Sequence, residues 1–122
     1  MIYTIPIDPK TKKNSQQIIT IKGRPMIIPS SAYKKYEKEA MKYLIPPESP
    51  IDYPVKVECH FYMATRRRVD LNNLLECATD CLVKAGVLED DNANIVVSHD
   101  GSRVHYDKGN PRTIISIERI EV

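Results

Sequence analysis

The sequence lacks long hydrophobic runs, internal repeats and low-complexity segments, and each of these absences narrows the class of protein. No apolar stretch approaches the roughly 18–20 residues of a membrane-spanning helix, so we expect no membrane partner. The chain begins with Met1, Ile2, Tyr3 and Thr4, which predicts a strand and not a signal peptide. The 122 residues therefore fit one domain, spanning 1–122.

Cysteine is also scarce. The sequence contains only Cys59, Cys77 and Cys81, which cannot all pair, and none belongs to a CxxC motif. This usage indicates a reduced protein, and we expect a cytoplasmic location. Cys77 and Cys81 lie four residues apart on a predicted helix, a spacing that two metal ligands could have. Small residues on or beside a buried helix face are the commoner explanation, and we favour it.

Neither sign of charge dominates. Eighteen Lys and Arg residues stand against sixteen Asp and Glu residues, which leaves a formal net charge of +2. This balance is less basic than that of an obvious nucleic-acid-binding domain, so evidence for nucleic-acid binding must come from the distribution of charge along the chain. Hydrophobic residues make up 42% of the chain, enough for one core that is not large. Dimerisation would bury further surface and so stabilise a domain as small as this one.

Alternating apolar residues and turn formers predict an α+β domain, with two main helices on one side of a mixed β-sheet. The clearest strand covers residues 55–64, where apolar and polar residues alternate. The predicted elements in chain order are a strand at 3–7, a hairpin at 17–28, a helix from Ser30 or Ser31 to about Leu44, the strand at 55–64, a helix from about Asp70 to Ala85 ended by Gly86, and strands at 94–97 and 113–122.

The second predicted helix has two chemically different faces. An apolar arc of about 100° should face the core and consists of Leu71, Leu74, Leu75, Ala78, Leu82 and Ala85. The opposite arc carries Asn73, Glu76 and Asp80, with Lys84 beside them. Asp70 stands at the N-terminal edge of the helix. The helix therefore packs with one face and presents acids with the other.

Asp90 and Asp91 follow this helix, and a loop that folds back would bring them towards Asp70. Converging carboxylates repel one another, and a bound divalent cation relieves that repulsion. Mg²⁺ prefers oxygen ligands and can activate water against a phosphodiester. The arginines at 66–68 and the basic loop at 10–14 would neutralise flanking phosphates. Each feature also has an ordinary explanation, since acids on a helix and arginines after a strand are commonly just solvated surface.

The segment RRRVDLNNLLECATDCLVKAGVLEDD, residues 66–91, resembles the RusA family of Holliday-junction resolvases. The hallmark of that family is a basic stretch, then D-L-D-N-L, a helix ending in K-A-G, and a closing D-D. The resemblance covers nearly the whole chain, although only this segment is distinctive. It implies an α+β homodimer that binds four-way DNA junctions and makes paired nicks with Mg²⁺, for which Mn²⁺ could substitute. The family's catalytic acids map onto Asp70 and Asp91, with Asp90 adjacent.

Two positions depart from the family pattern. The second aspartate of D-L-D-N is Asn72, and a lysine one helical turn later is Glu76. Because these positions lie four residues apart on a helix, we hypothesise that the lost carboxylate is relocated to Glu76. The catalytic prediction is therefore Asp70, Glu76 and Asp91, and the predicted metal ligands are these three and Asp90. The alternative is a decayed site in a protein that binds DNA without cutting it.

The predicted DNA contacts follow from the basic segments and from the resemblance. They are Lys12, Lys13, Asn14, Arg66, Arg67, Arg68, Asn73 and Arg103. Arg103 lies in the stretch 98–111, which is rich in turn formers and could contact DNA or could simply connect two strands. A third hypothesis is a structural protein that uses the sheet as a dimer scaffold and has no affinity for DNA.

Overall fold

The structure, a computed structural model, describes residues 1–12, 16–29 and 31–121 and confirms the α+β class. In chain order the elements are β1 (Ile2–Ile5), β2 (Gln16–Ile21), β3 (Arg24–Pro29), α1 (Ser31–Ala40), β4 (Val55–Met63), α2 (Leu71–Lys84), β5 (Val96–Ser98), β6 (Arg103–Tyr106) and β7 (Arg112–Arg119). No helix in these ranges is long and apolar enough to cross a membrane.

Five strands form a mixed sheet around β4. The strand order is β1, β7, β4 and β5. Strand β6 pairs with the same edge of β4 as β5, further along the strand at His60–Met63. Strands β1 and β4 both run antiparallel to β7, whereas β5 and β6 run parallel to β4. β2 and β3 make a separate antiparallel hairpin. Its two-residue turn has positive φ at Lys22 (52°) and Gly23 (77°), which suits the twist of a tight hairpin, and the hairpin predicted at 17–28 is confirmed.

One hydrophobic core joins the inward face of the sheet to both helices. Alternate residues of β4, from Val55 to Met63, are buried and the intervening ones are half-buried, as the sequence predicts. The buried side of α2 includes Leu74 and Leu82, which are 1% and 0% exposed. All three cysteines are buried free thiols, which fits the packing explanation for Cys77 and Cys81.

The helices are slightly shorter than expected. α1 ends at Ala40 and not at Leu44, because i→i+3 hydrogen bonds from Lys42 N–H to Glu39 and from Tyr43 N–H to Ala40 close its last turn. Helix α2 ends at Lys84, followed by Gly86 with a φ of 82°, the predicted left-handed residue. Leu71 and Ala85, expected in the core, are only half-buried because they lie at the ends of this helical segment.

The strand β6 was not predicted. Arg103–Tyr106 lies within the turn-rich stretch 98–111, but it runs parallel to β4 beside His60–Met63. The strand expected at 94–97 is Val96–Ser98, and the strand expected at 113–122 is Arg112–Arg119. The sheet therefore has one more strand than the sequence indicated, and this strand carries Arg103.

The outward face of the sheet carries a chain of polar contacts. Glu58 accepts a hydrogen bond from His60 Nε2 at 2.7 Å and pairs with Lys56 at 3.3 Å, and both contacts lower the pKa of this carboxyl. The Nδ1 atom of His60 lies 2.9 Å from Nε2 of His105. The pKa of His105 is lowered, chiefly by burial and then by the charge of His60. These contacts link β4 to β6.

Gly101 closes the turn between β5 and β6 against this chain of contacts. Its φ is 88°, and a Cβ atom there would come within 2.6 Å of Glu58 Oε1. We expect Gly101→Ala to destabilise the fold by about 1–2 kcal/mol, because an L-residue is strained at this φ and the Glu58 carboxylate must also shift. Urea unfolding measures the change. Gly109→Ala is the matched control, since its nearest atom would be 3.9 Å away; equal losses in both variants would contradict the prediction.

Candidate active site and nucleic-acid interface

Asp70 immediately precedes α2 in an extended conformation, with φ of −96° and ψ of 132°. Its backbone carbonyl accepts the N–H groups of Asn73 and Leu74, which start the helix. Its exposed carboxylate makes no capping hydrogen bond to the backbone; instead Asn73 Nδ2 lies 3.3 Å from Oδ2. Because the backbone and not the carboxylate starts the helix, the carboxylate is free to bind a ligand without loss of the helix end.

An open pocket of about 510 Å³ surrounds this carboxylate. Its lining consists of Val69, Asp70, Leu71, Asn72 and Asn73. The Asn72 side chain is exposed, and so is that of Glu76 one helical turn later. Asp70, Asn72 and Glu76 thus all lie at the N-terminal half of α2, with two carboxylates available to solvent.

A second pocket, of about 390 Å³, lies beside the C-terminal half of α2. It is lined by Lys12, Glu37, Asp80, Val83, Lys84, Asp90 and Asp91. Two ion pairs cross its wall: Lys12 Nζ lies 3.2 Å from Asp80 Oδ2, and Lys84 Nζ lies 2.7 Å from Glu37 Oε1. The lysines partly offset the negative charge of the four carboxylates in this pocket.

Asp90 organises the turn that presents Asp91. Its Oδ1 accepts the backbone N–H of Asp91 at 2.8 Å, and its Oδ2 accepts Asn92 Nδ2 at 3.0 Å. The bond from the Asp91 backbone, followed by that from Asn92, lowers the pKa of Asp90. Asp90 therefore holds the turn as a carboxylate. Asp91 is exposed at the edge of the pocket.

The structure places the predicted acids in two groups. Asp70 lines the first pocket, whereas Asp90 and Asp91 line the second with Asp80. Asp80 lies ten positions after Asp70, which corresponds to a rise of about 15 Å along the helix. Within the described ranges, no group of three or more His, Cys, Asp or Glu residues could hold a metal ion. Mg²⁺ needs only one or two carboxylates and keeps several waters, so the oxygen donors of either pocket suit it.

Two acids near the candidate site were not proposed as ligands from the sequence. Asp80 was placed on the acidic arc of α2, and that position was a usable signal. Glu37 gave no signal, because it lies among lysines in α1 where a charged residue is ordinary surface. Both line the pocket that contains Asp91. The surroundings of Asp91 are consequently more acidic than the family motif alone suggests.

The basic residues predicted to bind DNA divide into paired and exposed groups. Lys12 is paired with Asp80, whereas Lys13 and Asn14 lie outside the described residues. Arg67 contacts Asp8 at 3.2 Å and donates to the carbonyl of Pro9, so it fixes the segment after β1. This arginine therefore has a structural role whatever else it binds.

Arg66, Arg68 and Arg103 are exposed and lie near the end of β4 or on β6. The Arg66 guanidinium carbon lies 4.4 Å from the centre of the Tyr106 ring. Asn73, also predicted to contact DNA, is half-buried and contacts Asp70. These exposed guanidinium groups carry positive charge that is suited to phosphate groups.

Comparison with known proteins identifies the family. The model of the family described as Endodeoxyribonuclease RusA matches residues 6–118 of the 122-residue chain. No curated protein sequence gives a significant match. The matched region includes both pockets and every residue proposed above as a ligand or a DNA contact, and it leaves only a few residues at each end. The chain therefore belongs to the RusA endodeoxyribonuclease family.

Proposed function

We propose that the protein is a Mg²⁺-dependent endonuclease that resolves Holliday junctions or other branched DNA by paired hydrolysis of phosphodiesters. The family match over residues 6–118 carries this proposal. The exposed carboxylates along and after α2 support it, because they are the oxygen ligands that Mg²⁺ prefers. Mn²⁺ would be the expected substitute.

The proposed metal ligands fall in two groups, Asp70 and Glu76 at the N-terminal half of α2 and Asp90 and Asp91 beside its C-terminal half. When bound, Mg²⁺ would supply an activated water and stabilise the charge that develops on the phosphodiester. Asp70 would contribute a carboxylate that the helix end does not require. Asp90 would act mainly by orienting Asp91, since both of its oxygens already accept hydrogen bonds. Arg66, Arg68 and Arg103 would hold neighbouring phosphates in place.

A homodimer fits this substrate. A four-way junction has approximate two-fold symmetry, and a two-fold enzyme can place one site on each of two opposing strands. Recognition would rest on the shape and backbone charge of the DNA more than on base edges. The three free thiols fit a reducing compartment, and we propose the cytoplasm.

The test is cleavage of a synthetic four-way junction beside a linear duplex of the same sequence. We expect paired nicks in the junction with Mg²⁺ or Mn²⁺, no nicks in the duplex, and no cutting in EDTA. Size-exclusion chromatography with light scattering would measure the oligomeric state. Equal cutting of both substrates would contradict junction selectivity, and cutting in EDTA would contradict metal dependence.

A junction-binding module without nuclease activity is the second candidate. The observation that favours it is that the two family acids line different pockets, Asp70 the first and Asp91 the second. The asparagine at position 72, where the family pattern has an aspartate, also favours this candidate. This candidate predicts salt-dependent junction binding that survives Asp70→Asn, and no cleavage with either metal.

A further inference from the structure

Tyr106 forms an exposed aromatic surface at the end of the sheet. It is the last residue of β6, opposite Met63 at the end of β4, and its side chain is 43% exposed. The Arg66 guanidinium lies over the ring, with its carbon 4.4 Å from the ring centre. A pocket of about 210 Å³ adjoins this pair, and its lining includes Met63, Arg66, Arg67, Val69, Val104 and Tyr106.

The chemistry of this pocket suits a nucleobase with its phosphate. Its lining combines an aromatic face and apolar side chains with two guanidinium groups, and none of the described residues that line it carries a carboxylate. Arg67 is held by Asp8, whereas among the described residues Arg66 contacts only the Tyr106 ring face and can turn towards a phosphate. Aromatic side chains beside arginines are the usual stacking surface for unpaired bases, since every base has a π face.

The position of the pocket connects it to the proposed catalytic acid. Val69 lines both this pocket and the pocket around Asp70, so the two adjoin. A base held against Tyr106 would therefore bring its neighbouring phosphodiester towards the Asp70 carboxylate. The small volume accommodates one base more readily than several nucleotides, and a base at a branch point costs less to unstack than one inside a duplex.

We propose that Tyr106 stacks against one unstacked nucleobase at the branch point of the DNA, with Arg66 on an adjacent phosphate. This inference rests on the proposed function and adds to it a subsite that selects branched over linear DNA. Phosphate contacts hold any duplex, but the subsite is filled only where a base leaves the stack. Tyr106 is accordingly a specificity-determining residue and not a catalytic one.

Photo-cross-linking tests the stacking directly. Junctions carry 5-iododeoxyuridine at one branch-point position at a time, and irradiation of the complex in Ca²⁺ without Mg²⁺ is followed by mass spectrometry of the linked peptide. We expect cross-links at Tyr106 from a branch-point base and none from the same base inside linear duplex. Cross-links confined to other residues would overturn the proposal.

Affinity measurements with matched variants complete the test. We expect Tyr106→Leu to raise the Kd for the junction about tenfold or more, which is the change expected when stacking on one base is lost. The Kd for linear duplex should change little. Tyr106→Phe keeps the ring face and should bind as the wild type does. Tyr43→Leu is the control at a tyrosine of similar exposure, 40%, that follows α1. Thermal unfolding verifies that each variant is folded.

The outcomes separate this inference from the function on which it rests. If the wild type binds junction no better than duplex, the proposed function fails. If the wild type prefers junction but Tyr106→Leu binds like Tyr43→Leu, only the stacking subsite fails. A selective loss in Tyr106→Leu together with a cross-link at Tyr106 supports both.

Discussion

Replacing either Asp70 or Asp91 by asparagine is expected to slow junction cleavage by about 100-fold or more. The physical reason is loss of a carboxylate that would hold the metal, since a metal ion stabilises the developing charge by several kcal/mol and each 1.36 kcal/mol is a factor of ten. Both residues are exposed. The Asp70 backbone that starts α2 and the Asp91 N–H that Asp90 accepts are unchanged by the substitution.

Single-turnover cleavage with Mg²⁺ measures this loss, and a binding assay in Ca²⁺ verifies that the variants still bind the junction. Glu89→Gln is the matched control, because Glu89 is an exposed acid of the same loop and lies outside the proposed ligand set. Asp80→Asn distinguishes the two pockets. Strong loss in Asp80→Asn and Asp91→Asn, with normal cutting by Asp70→Asn, would move the metal to the C-terminal half of α2 and contradict the prediction for Asp70.

The parts of the fold that were predicted correctly depend on local patterns. β4 alternates over nine residues, α2 has one continuous apolar face and a glycine at its end, and the Lys22–Gly23 turn adopts a conformation that glycine permits. These signals arise within a few residues of the chain. The α+β class followed from them because each element had one face to bury.

The missed strand β6 shows where local patterns are insufficient. Arg103–Tyr106 has only four residues, and it is flanked by turn formers on both sides. Its strand conformation comes from pairing with β4, more than forty residues away, and from stacking of His105 against Tyr62 at 4.4 Å. Such partners become visible only when the sheet is assembled, which is the usual way that tertiary context decides a short strand.

In the candidate site, too, local patterns predicted some features and missed those that depend on tertiary contacts. Helical periodicity placed Glu76 and Asp80 on the polar side of α2, and the motif identified Asp70 and Asp91. Periodicity could not indicate where the loop after the helix lies. In the structure, Asp90 and Asp91 of this loop line the same pocket as Asp80. It also could not show that Lys12 is engaged by Asp80, because that ion pair joins residues 68 positions apart. The grouping of Asp70 with Asp91 at one ion therefore stays a prediction.

Glu76→Gln provides the second test with a large expected effect. If the carboxylate missing at Asn72 is supplied by Glu76, removing it should slow cleavage by about 100-fold and weaken Mn²⁺ binding. Both positions are exposed on α2 and four residues apart, so neither substitution should change the thermal unfolding temperature. Titration calorimetry with Mn²⁺ measures the binding.

The rescue variant makes this test specific. Adding Asn72→Asp to Glu76→Gln returns one carboxylate to the position that the family pattern assigns to aspartate, and we expect it to restore most of the lost cleavage and metal affinity. Asn72→Asp alone is the control for an extra acid in the presence of Glu76. Wild-type cutting and Mn²⁺ binding by Glu76→Gln would contradict the relocation. A loss that Asn72→Asp fails to repair would also contradict it, because the function of Glu76 would then depend on its own position and not on the number of carboxylates at the N-terminal half of α2.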